Sequence, residues 1–173
     1  MSKDGSLLCW VEWNFPNMPW DNTRICTAEV DASSMKILPG SLKILTNNQD
    51  SNPLSCTLPM WTKDNNLLYI KDETGFWNVW ITTDFCDHTN LTPVSEDVGD
   101  PMWQFDYRKY NYSGIRDQLV VARKSGKLQF INLDGSQKKE IGYTLFINIF
   151  KMTFDCIIRN KNLSKNKKYT GGR

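Results

Sequence analysis

Histidine is almost absent from the sequence, and its cysteines are not paired, which excludes several kinds of site. His88 is the only histidine among 173 residues. No two cysteines form a C-x-x-C pair, so neither a zinc site nor a dithiol redox motif is indicated. We expect free, buried thiols in a reducing cytosol, with no metal and no cofactor. The five cysteines are Cys9, Cys26, Cys56, Cys86 and Cys156.

Long apolar segments are also missing. Nowhere do the roughly eighteen consecutive apolar residues of a membrane-spanning helix occur. The first residues, Met1 to Gly5, are polar and turn-like, without the apolar stretch of a secretory signal. These two absences predict a cytoplasmic protein that does not enter a membrane.

Aromatic residues, in contrast, are abundant, and charge is unevenly distributed. Seven Trp, six Tyr and eight Phe suit strands that pack face to face. Residues 151–173 carry seven Lys and Arg against one acid, a net charge of +6 in a chain whose total is +2. Such a segment can contact nucleic acid or anionic lipid. Because no aromatic residues alternate with these charges, we expect a solvated tail and predict neither nucleic acid nor membrane as a partner.

A repeated tripeptide indicates how the chain is organised. Pro59-Met60-Trp61 and Pro101-Met102-Trp103 lie forty-two residues apart, and short strand-like segments separated by turns follow each of them. A period of about 40–45 residues with several strands per unit is typical of β-propeller blades. The repeat therefore predicts an array of small sheets, none of which buries both of its faces alone.

Strand-like alternation and turn signals extend this interpretation along the chain. The predicted strands cover residues 7–13, 24–30, 67–70, 76–81, 118–123 and 127–133, and 84–90 is predicted as a turn. Turns with Asp, Asn or Gly separate the strands, and no helical apolar period occurs before residue 140. We therefore predict an all-β fold, a partial β-propeller of about three blades in residues 1–137. The blades are expected at 2–45, 56–95 and 98–137.

The composition changes at about residue 138. Residues 141–152 are apolar without alternation, and the segment from Arg159 onward is almost wholly Asn, Lys and Ser. We predict an irregular, divergent and partly disordered basic tail over residues 138–173. Two origins of this tail stay open. One is a further strand followed by a native tail, and the other is a reading frame that continues past an exon boundary.

Particular residues of the first two units carry a family resemblance. The hexapeptide Pro16-Asn17-Met18-Pro19-Trp20-Asp21 is its most specific element, and it follows Asp4-Gly5, Leu8, Trp10 and Trp13. The second unit continues it with Trp61, Asp64 and Trp77-Asn78-Val79. Over residues 2 to about 136 the chain resembles the propeller domain of the prolyl oligopeptidase family of serine peptidases. The acylaminoacyl-peptidase and dipeptidyl-peptidase-like branch is the most similar one, although Phe15 stands where that family often has His.

This resemblance implies a domain that caps a catalytic α/β-hydrolase domain and admits only short peptides to it. In the family, the catalytic domain carries a Gly-x-Ser-x-Gly motif followed by Asp and His. No Gly-x-Ser-x-Gly occurs in this chain. Its only histidine, His88, lies in a predicted surface turn and is interpreted as a surface polar residue, because a triad needs an oriented base beside a nucleophile. We expect no catalytic residue here and interpret the chain as a fragment of a propeller of about seven blades.

The candidate functional residues lie in the loop after the first strand. They are Asn17, Met18, Pro19, Trp20 and Asp21. Sheet packing does not require a large aromatic residue in an irregular loop, and loops carry function disproportionately. The loop is a possible gate at the propeller mouth or a contact with the catalytic domain. The alternative is local packing under a neighbouring blade, whereas Trp10, Trp61, Trp77, Trp80 and Trp103 are predicted to fill blade cores.

Two functions compete at this stage. The leading hypothesis is a non-catalytic, substrate-gating propeller segment, which meets peptide substrates only through a catalytic domain that this chain lacks. The alternative is a stand-alone propeller that binds protein partners, although Trp20-Asp21 falls in the wrong place for the Trp-Asp signature of such repeats. Because three blades leave open faces and edge strands, we expect association with a hydrolase domain or with further copies.

Overall fold

The computed structural model describes residues 1–46, 52–100, 102, 108–136 and 138–142. These residues form three four-stranded antiparallel sheets. Sheet A contains β1 (Leu7–Trp13), β2 (Thr23–Asp31), β3 (Lys36–Ile37) and β4 (Lys43–Ile44). Sheet B contains β5 (Cys56–Trp61), β6 (Leu67–Lys71), β7 (Asn78–Thr82) and β8 (His88–Asn90). Sheet C contains β9 (Tyr110–Ser113), β10 (Gln118–Ala122), β11 (Lys127–Asn132) and β12 (Lys138–Gly142).

The all-β class is therefore confirmed, and the number of blades stays a prediction. Strands of sheets B and C follow one another as meanders, so each hairpin joins neighbouring strands. The turns at Gly75 and Gly126 lie where the sequence places them, and these glycines have φ angles of 81° and 74°, a region that only glycine adopts without steric cost. Among the residues described, no helix has the length and apolar character needed to cross a membrane.

Six strands have no counterpart among the predicted ones. β3, β4 and β5 fall between the predicted strands at 24–30 and 67–70, and β9 was not predicted either. β8 lies within the predicted turn at 84–90, and β12 occupies the first five residues of the predicted tail. β12 pairs with β11 from Lys138↔Ile131 to Lys127↔Gly142, so sheet C continues to Gly142 instead of ending at 137. Its side chains are largely exposed, so backbone pairing rather than apolar alternation forms it, as is common at a sheet edge. Residues 143–173 lie outside the described part.

Sheet B lies between the other two and is buried on both faces. Every residue of β6 and β7 is buried. Leu67, Tyr69 and Trp80 pack against sheet A, while the alternating neighbours, among them Leu68 and Ile81, pack against sheet C. Full burial of one large apolar side chain stabilises a fold by roughly 1.5–3 kcal/mol. The two face-to-face cores thus hold the three sheets together.

Tryptophan packing agrees with the predicted blade cores where it is described. Trp61 and Trp80 lie in the core between sheets A and B, and Trp77 lies in the core between sheets B and C. Trp10 is half-buried and donates from its indole to Glu12 at 3.0 Å. Trp103 lies outside the described residues. Beside Trp77, buried Gly99 leaves little room for a side chain, because an added Cβ would lie 3.1 Å from the Trp77 ring and 3.2 Å from Ile70, tighter than ordinary van der Waals contacts.

Candidate functional site at the first strands of the sheets

A β-bulge in β5 redirects part of its backbone. Thr57 pairs with Ile70 and Met60 with Leu68, so Leu58 and Pro59 together oppose one residue of β6. Leu58 has a φ of 54°, and proline has no N–H to donate. A bulge of this kind removes two residues from the regular ladder and re-aims them. The carbonyl groups of Leu58 and Pro59 are consequently free to accept hydrogen bonds from another sheet.

Residues of the β9 region supply those hydrogen bonds. The Tyr110 hydroxyl donates to the Leu58 carbonyl and lies 3.4 Å from the Leu68 carbonyl oxygen. Arg108 Nη1 lies 3.5 Å and 3.4 Å from the carbonyl oxygens of Leu58 and Pro59. Tyr110 is 1% exposed, and burial raises the pKa of its phenol above the ordinary value. It therefore acts as a neutral hydrogen-bond donor that joins sheet C to sheet B.

The first strands of the three sheets meet at a cleft of about 890 Å³. β1 contributes Cys9 and Val11, β5 contributes Met60 and Trp61, and β9 contributes Tyr112. The cleft is mixed in character, since apolar side chains alternate with polar groups along its wall. Pro59, Met60 and Trp61 of the repeated tripeptide form part of its wall, and the other lining residues belong to no motif of the sequence.

Positive charge dominates the lining of this cleft. Lys3, Lys63 and Arg108 line it, and none of its described lining residues is acidic. Lys63 Nζ lies 3.2 Å from Asp117 at the rim. The Asp117 carboxylate also accepts a 2.6 Å hydrogen bond from the Tyr112 hydroxyl, which holds the pKa of Asp117 below its ordinary value. The cleft thus presents cations to a ligand, with the nearest paired acid outside it.

Two further polar groups face the same space. The Cys9 thiol is half-buried, and burial raises its pKa, while the positive charges of the amino terminus and Arg108 and a weak hydrogen bond from Trp61 oppose this effect. The Trp61 indole nitrogen Nε1 is itself buried and makes no full hydrogen bond. The Cys9 sulfur beside it is only a weak acceptor, so this N–H remains poorly satisfied.

The predicted loop lies beside the cleft and is confirmed as irregular backbone between β1 and β2. Buried Pro19 lines a second cavity of about 360 Å³, which shares Val11, Pro59 and Arg108 with the first. Asp21 accepts a 2.8 Å hydrogen bond from the Met18 backbone N–H, which closes a local turn. Pro19 thus connects the loop with the inner strands, whereas the described contact of Asp21 is local.

The remaining loop positions lie closer to the surface. Asn17 lines a small cavity of about 40 Å³ together with Glu12 and Arg24. Trp20 is half-buried. Met18 is exposed, and so are the neighbouring Trp13 and Phe15, the latter with 97% of its surface accessible. Three large apolar side chains therefore project from one segment, which is unusual for a surface loop that contacts only water.

His88 does not lie in a turn, contrary to the sequence interpretation. It begins β8 and is half-buried, and its Nδ1 lies 2.7 Å from the hydroxyl of buried Tyr69. The two rings also meet edge to face at 5.9 Å. Burial lowers the pKa of His88, and the charge of Lys71 lowers it further, while Glu73, Asp84 and Asp87 act in the opposite sense. These contacts with Tyr69 explain a structural role for this histidine.

Among the described cysteines, the predicted burial is correct for Cys26 and Cys56 and wrong for Cys86. All four described cysteines are free thiols, with Cys9 half-buried and Cys86 exposed. Cys86 lies in the short loop before β8, where its backbone N–H is held by Asp84 and its side chain has no core to enter. No group of three or more His, Cys, Asp and Glu in the described part of the chain is arranged to hold a metal ion.

Apart from Pro59, Met60 and Trp61 of the repeated tripeptide, the cleft residues escaped the sequence analysis because their positions depend on contacts between sheets. Arg108 and Tyr110 act on carbonyl groups about fifty positions earlier in the chain. The alternation Tyr110-Asn111-Tyr112 is the one local signal, since aromatic residues at every second position favour a strand. It indicates the strand β9 but not the carbonyl groups of sheet B that its region contacts.

No protein-family model matches the chain, and no curated protein matches its sequence. Solved structures do match. A puromycin-hydrolysing peptidase of Mycobacterium tuberculosis is 25% identical, with a TM-score of 0.70 over 83% of this chain and 21% of that chain. A puromycin hydrolase is 21% identical, with a TM-score of 0.71 over the same two shares. A puromycin hydrolase variant complexed with PGG is 22% identical, with a TM-score of 0.69 over 81% of this chain and 21% of that chain.

These similarities confirm the resemblance to the propeller portion of prolyl oligopeptidase-family enzymes. The chain spans about a fifth of the length of the solved structures that it matches. The match accounts for the three antiparallel sheets, and it leaves the closer likeness to the acylaminoacyl-peptidase branch a prediction.

Proposed function

We propose that this chain is a non-catalytic propeller segment of a prolyl oligopeptidase-like serine peptidase, which restricts the peptides that reach a separate hydrolase domain. One observation carries the proposal. More than four-fifths of the chain superimposes on peptidase structures, yet the match takes up only about a fifth of those structures. A cytoplasmic location is part of the same proposal.

The chemistry of the chain supports a non-catalytic role. Nucleophilic hydrolysis needs a serine activated by an oriented histidine, and the sequence holds no Gly-x-Ser-x-Gly. Its only histidine lies on the outer strand of sheet B and is hydrogen-bonded to the hydroxyl of Tyr69 on β6. Any peptide hydrolysis associated with this chain would then take place on another domain.

The loop after β1 is the proposed contact with that domain. Phe15 and Met18 are exposed apolar side chains, and Pro19 anchors the same segment against the cavity next to the cleft. Exposed apolar side chains clustered on one loop mark surfaces that bind other proteins. An anchored loop with an apolar tip can both dock a hydrolase domain and narrow the entrance to it.

The test uses the full chain and the isolated hydrolase domain of a puromycin-hydrolysing peptidase. The chain alone is expected to leave a chromogenic acyl-peptide intact. Added to the hydrolase domain, it is expected to bind and to slow the turnover of long peptides more than that of short ones. Phe15→Ser should weaken this binding, whereas Met35→Ser, which removes an exposed apolar side chain from another turn, should leave it unchanged.

Two outcomes contradict the proposal. Turnover of the acyl-peptide by the purified chain would show that it is itself an enzyme. A hydrolase domain whose discrimination between long and short peptides is unaltered by the chain would remove the gating role.

Self-association is proposed as a second consequence of the open sheets. Sheet A exposes large apolar side chains near its outer strands, among them Ile37, Leu42 and Ile44. Light scattering after size-exclusion chromatography measures this directly. We expect a mass that rises with concentration, and a monomer over the whole accessible range would refute it.

A further inference from the structure

The cleft between the first strands combines cations with a poorly satisfied donor. Lys3 lines it and makes no ion pair with any described residue. The acid nearest in sequence, Asp4, is occupied by hydrogen bonds from Ser2, Ser6 and Asn65. The positive charge of Lys3 is therefore available to a ligand.

The second cation, Lys63, is only partly offset. Its Nζ lies 3.2 Å from Asp117, and both side chains are about two-fifths exposed. Exposed ion pairs of this kind contribute little and exchange readily with solvent. Arg108 adds a third positive charge to the wall, and its guanidinium also contacts the carbonyl groups of the bulge.

The Trp61 indole N–H favours an acceptor in the cleft. Its nitrogen is buried and makes no full hydrogen bond, with the weakly accepting Cys9 sulfur beside it, and Trp61 lines the cleft. Because an indole can only donate, a carboxylate oxygen is a better partner for it than the thiol. A hydrogen bond between a neutral donor and an anion is stronger than one between neutral groups.

Apolar side chains of the same cleft add a second requirement. Val11, Met60 and Ile115 line it beside the polar groups. A small inorganic anion leaves these side chains in contact with water. A carboxylate attached to an apolar residue satisfies the cations, the indole and the apolar wall together.

We propose that this cleft binds the free carboxyl-terminal end of a short peptide with an apolar last residue. Lys3 and Lys63 attract the carboxylate, the Trp61 indole donates to one of its oxygens, and the apolar wall receives the last side chain. That the ligand is a peptide rests on the proposed function, since the chain would then stand in the path of peptide substrates. The binding itself requires no hydrolase domain.

The experiment measures binding of N-acetyl-leucyl-leucine and of its carboxyl-terminal amide to the full chain by calorimetry. Loss of one charge-assisted contact corresponds to about a tenfold change in affinity, so the amide is expected to bind at least that much more weakly. Added salt should weaken binding of the acid and not of the amide, because screening acts on the charged ligand.

Three variants locate the site. Trp61→Phe keeps the aromatic ring and removes the N–H, and Lys3→Gln removes the unpaired charge, so each is expected to weaken the acid severalfold and to weaken the amide less, because its neutral carbonyl is the poorer acceptor. Lys36→Gln, on exposed β3, is the matched control and should change nothing. Circular dichroism of each variant keeps a folding defect apart from a binding defect.

Equal affinity for acid and amide, or an effect of Lys36→Gln as large as that of Lys3→Gln, would overturn the assignment. The outcome is separate from the test of gating, because discrimination by peptide length is measured on the hydrolase domain. Binding of the acid without any effect on the hydrolase would keep the site and refute the proposed function. An effect on the hydrolase without binding of the acid would refute the site and keep the proposed function.

Discussion

Replacement of Tyr110 by Phe removes a single hydroxyl group and tests how sheet C is joined to sheet B. The hydroxyl donates to the carbonyl of Leu58, which the β5 bulge has taken out of the ladder. Both residues are buried, at 1% and 4% exposure. Without the hydroxyl, only Arg108 Nη1 at 3.5 Å remains near that carbonyl oxygen, a distance at the limit of a hydrogen bond.

The expected loss of stability follows from this geometry. A buried acceptor left without a partner costs about 1–3 kcal/mol, so Tyr110→Phe should lower the free energy of unfolding by that amount. Tyr112→Phe is the matched control. Its hydroxyl donates to Asp117, whose carboxylate is about two-fifths exposed. Water can replace the lost donor there, and we expect a change below about 1 kcal/mol.

Urea denaturation of both variants and of the parent protein measures these differences. The slope of the free energy against urea should stay constant, which shows that the midpoint shift reflects stability alone. If Tyr110→Phe were no more destabilising than Tyr112→Phe, the bulge carbonyl would not depend on Tyr110. The proposed link between the two sheets would then be wrong.

Three other predictions concern packing, protonation and thiol reactivity. Gly99→Ala should destabilise the fold by about 1–3 kcal/mol through overpacking, whereas Gly114→Ala, whose added Cβ lies 3.8 Å from its nearest atom, should be nearly neutral in the same urea assay. Acidification from about pH 7 to about pH 5 should lower stability through His88, because its lowered pKa means that the unfolded state binds the proton more tightly. His88→Gln should flatten this dependence, and an unchanged slope would contradict the assignment. Iodoacetamide should modify exposed Cys86 in the native protein. Cys56 is buried, which raises its pKa to about 12, so it should react only after unfolding. Peptide mass spectrometry measures both rates, and equal rates in the native protein would refute this.

Local sequence patterns predicted most of the regular structure. β1, β2, β6, β7, β10 and β11 lie close to predicted strands, because apolar alternation between glycine-containing turns carries that information within a few residues. β9 has four residues, and its alternating Tyr110 and Tyr112 are its one local signal. β8 and β12 lack such alternation, and they form because a neighbouring strand offers unpaired backbone groups, a property of the partner and not of their own residues.

The candidate site likewise has one part that the sequence predicted and another that it did not. The loop at Asn17–Asp21 was recognisable from its prolines and its tryptophan, and the structure brings Pro19 to the cavity beside the cleft. Arg108 and Lys3 had no local signal, and the repeated tripeptide marked Trp61 as a core residue of a blade but not as part of a cleft. Their common position arises only when the first strands of three sheets converge.

By itself, the sequence determined the all-β class, the unit length and the irregular loop, since each depends on residues that are close along the chain. The tertiary structure decided which strands complete the sheets, where the β5 bulge directs its carbonyl groups and which side chains share the cleft. The physical reason is the range of the interactions involved. Alternation and turn preference act over a few residues, whereas hydrogen bonds such as that from Tyr110 to Leu58 span 52 positions and exist only after the sheets have packed.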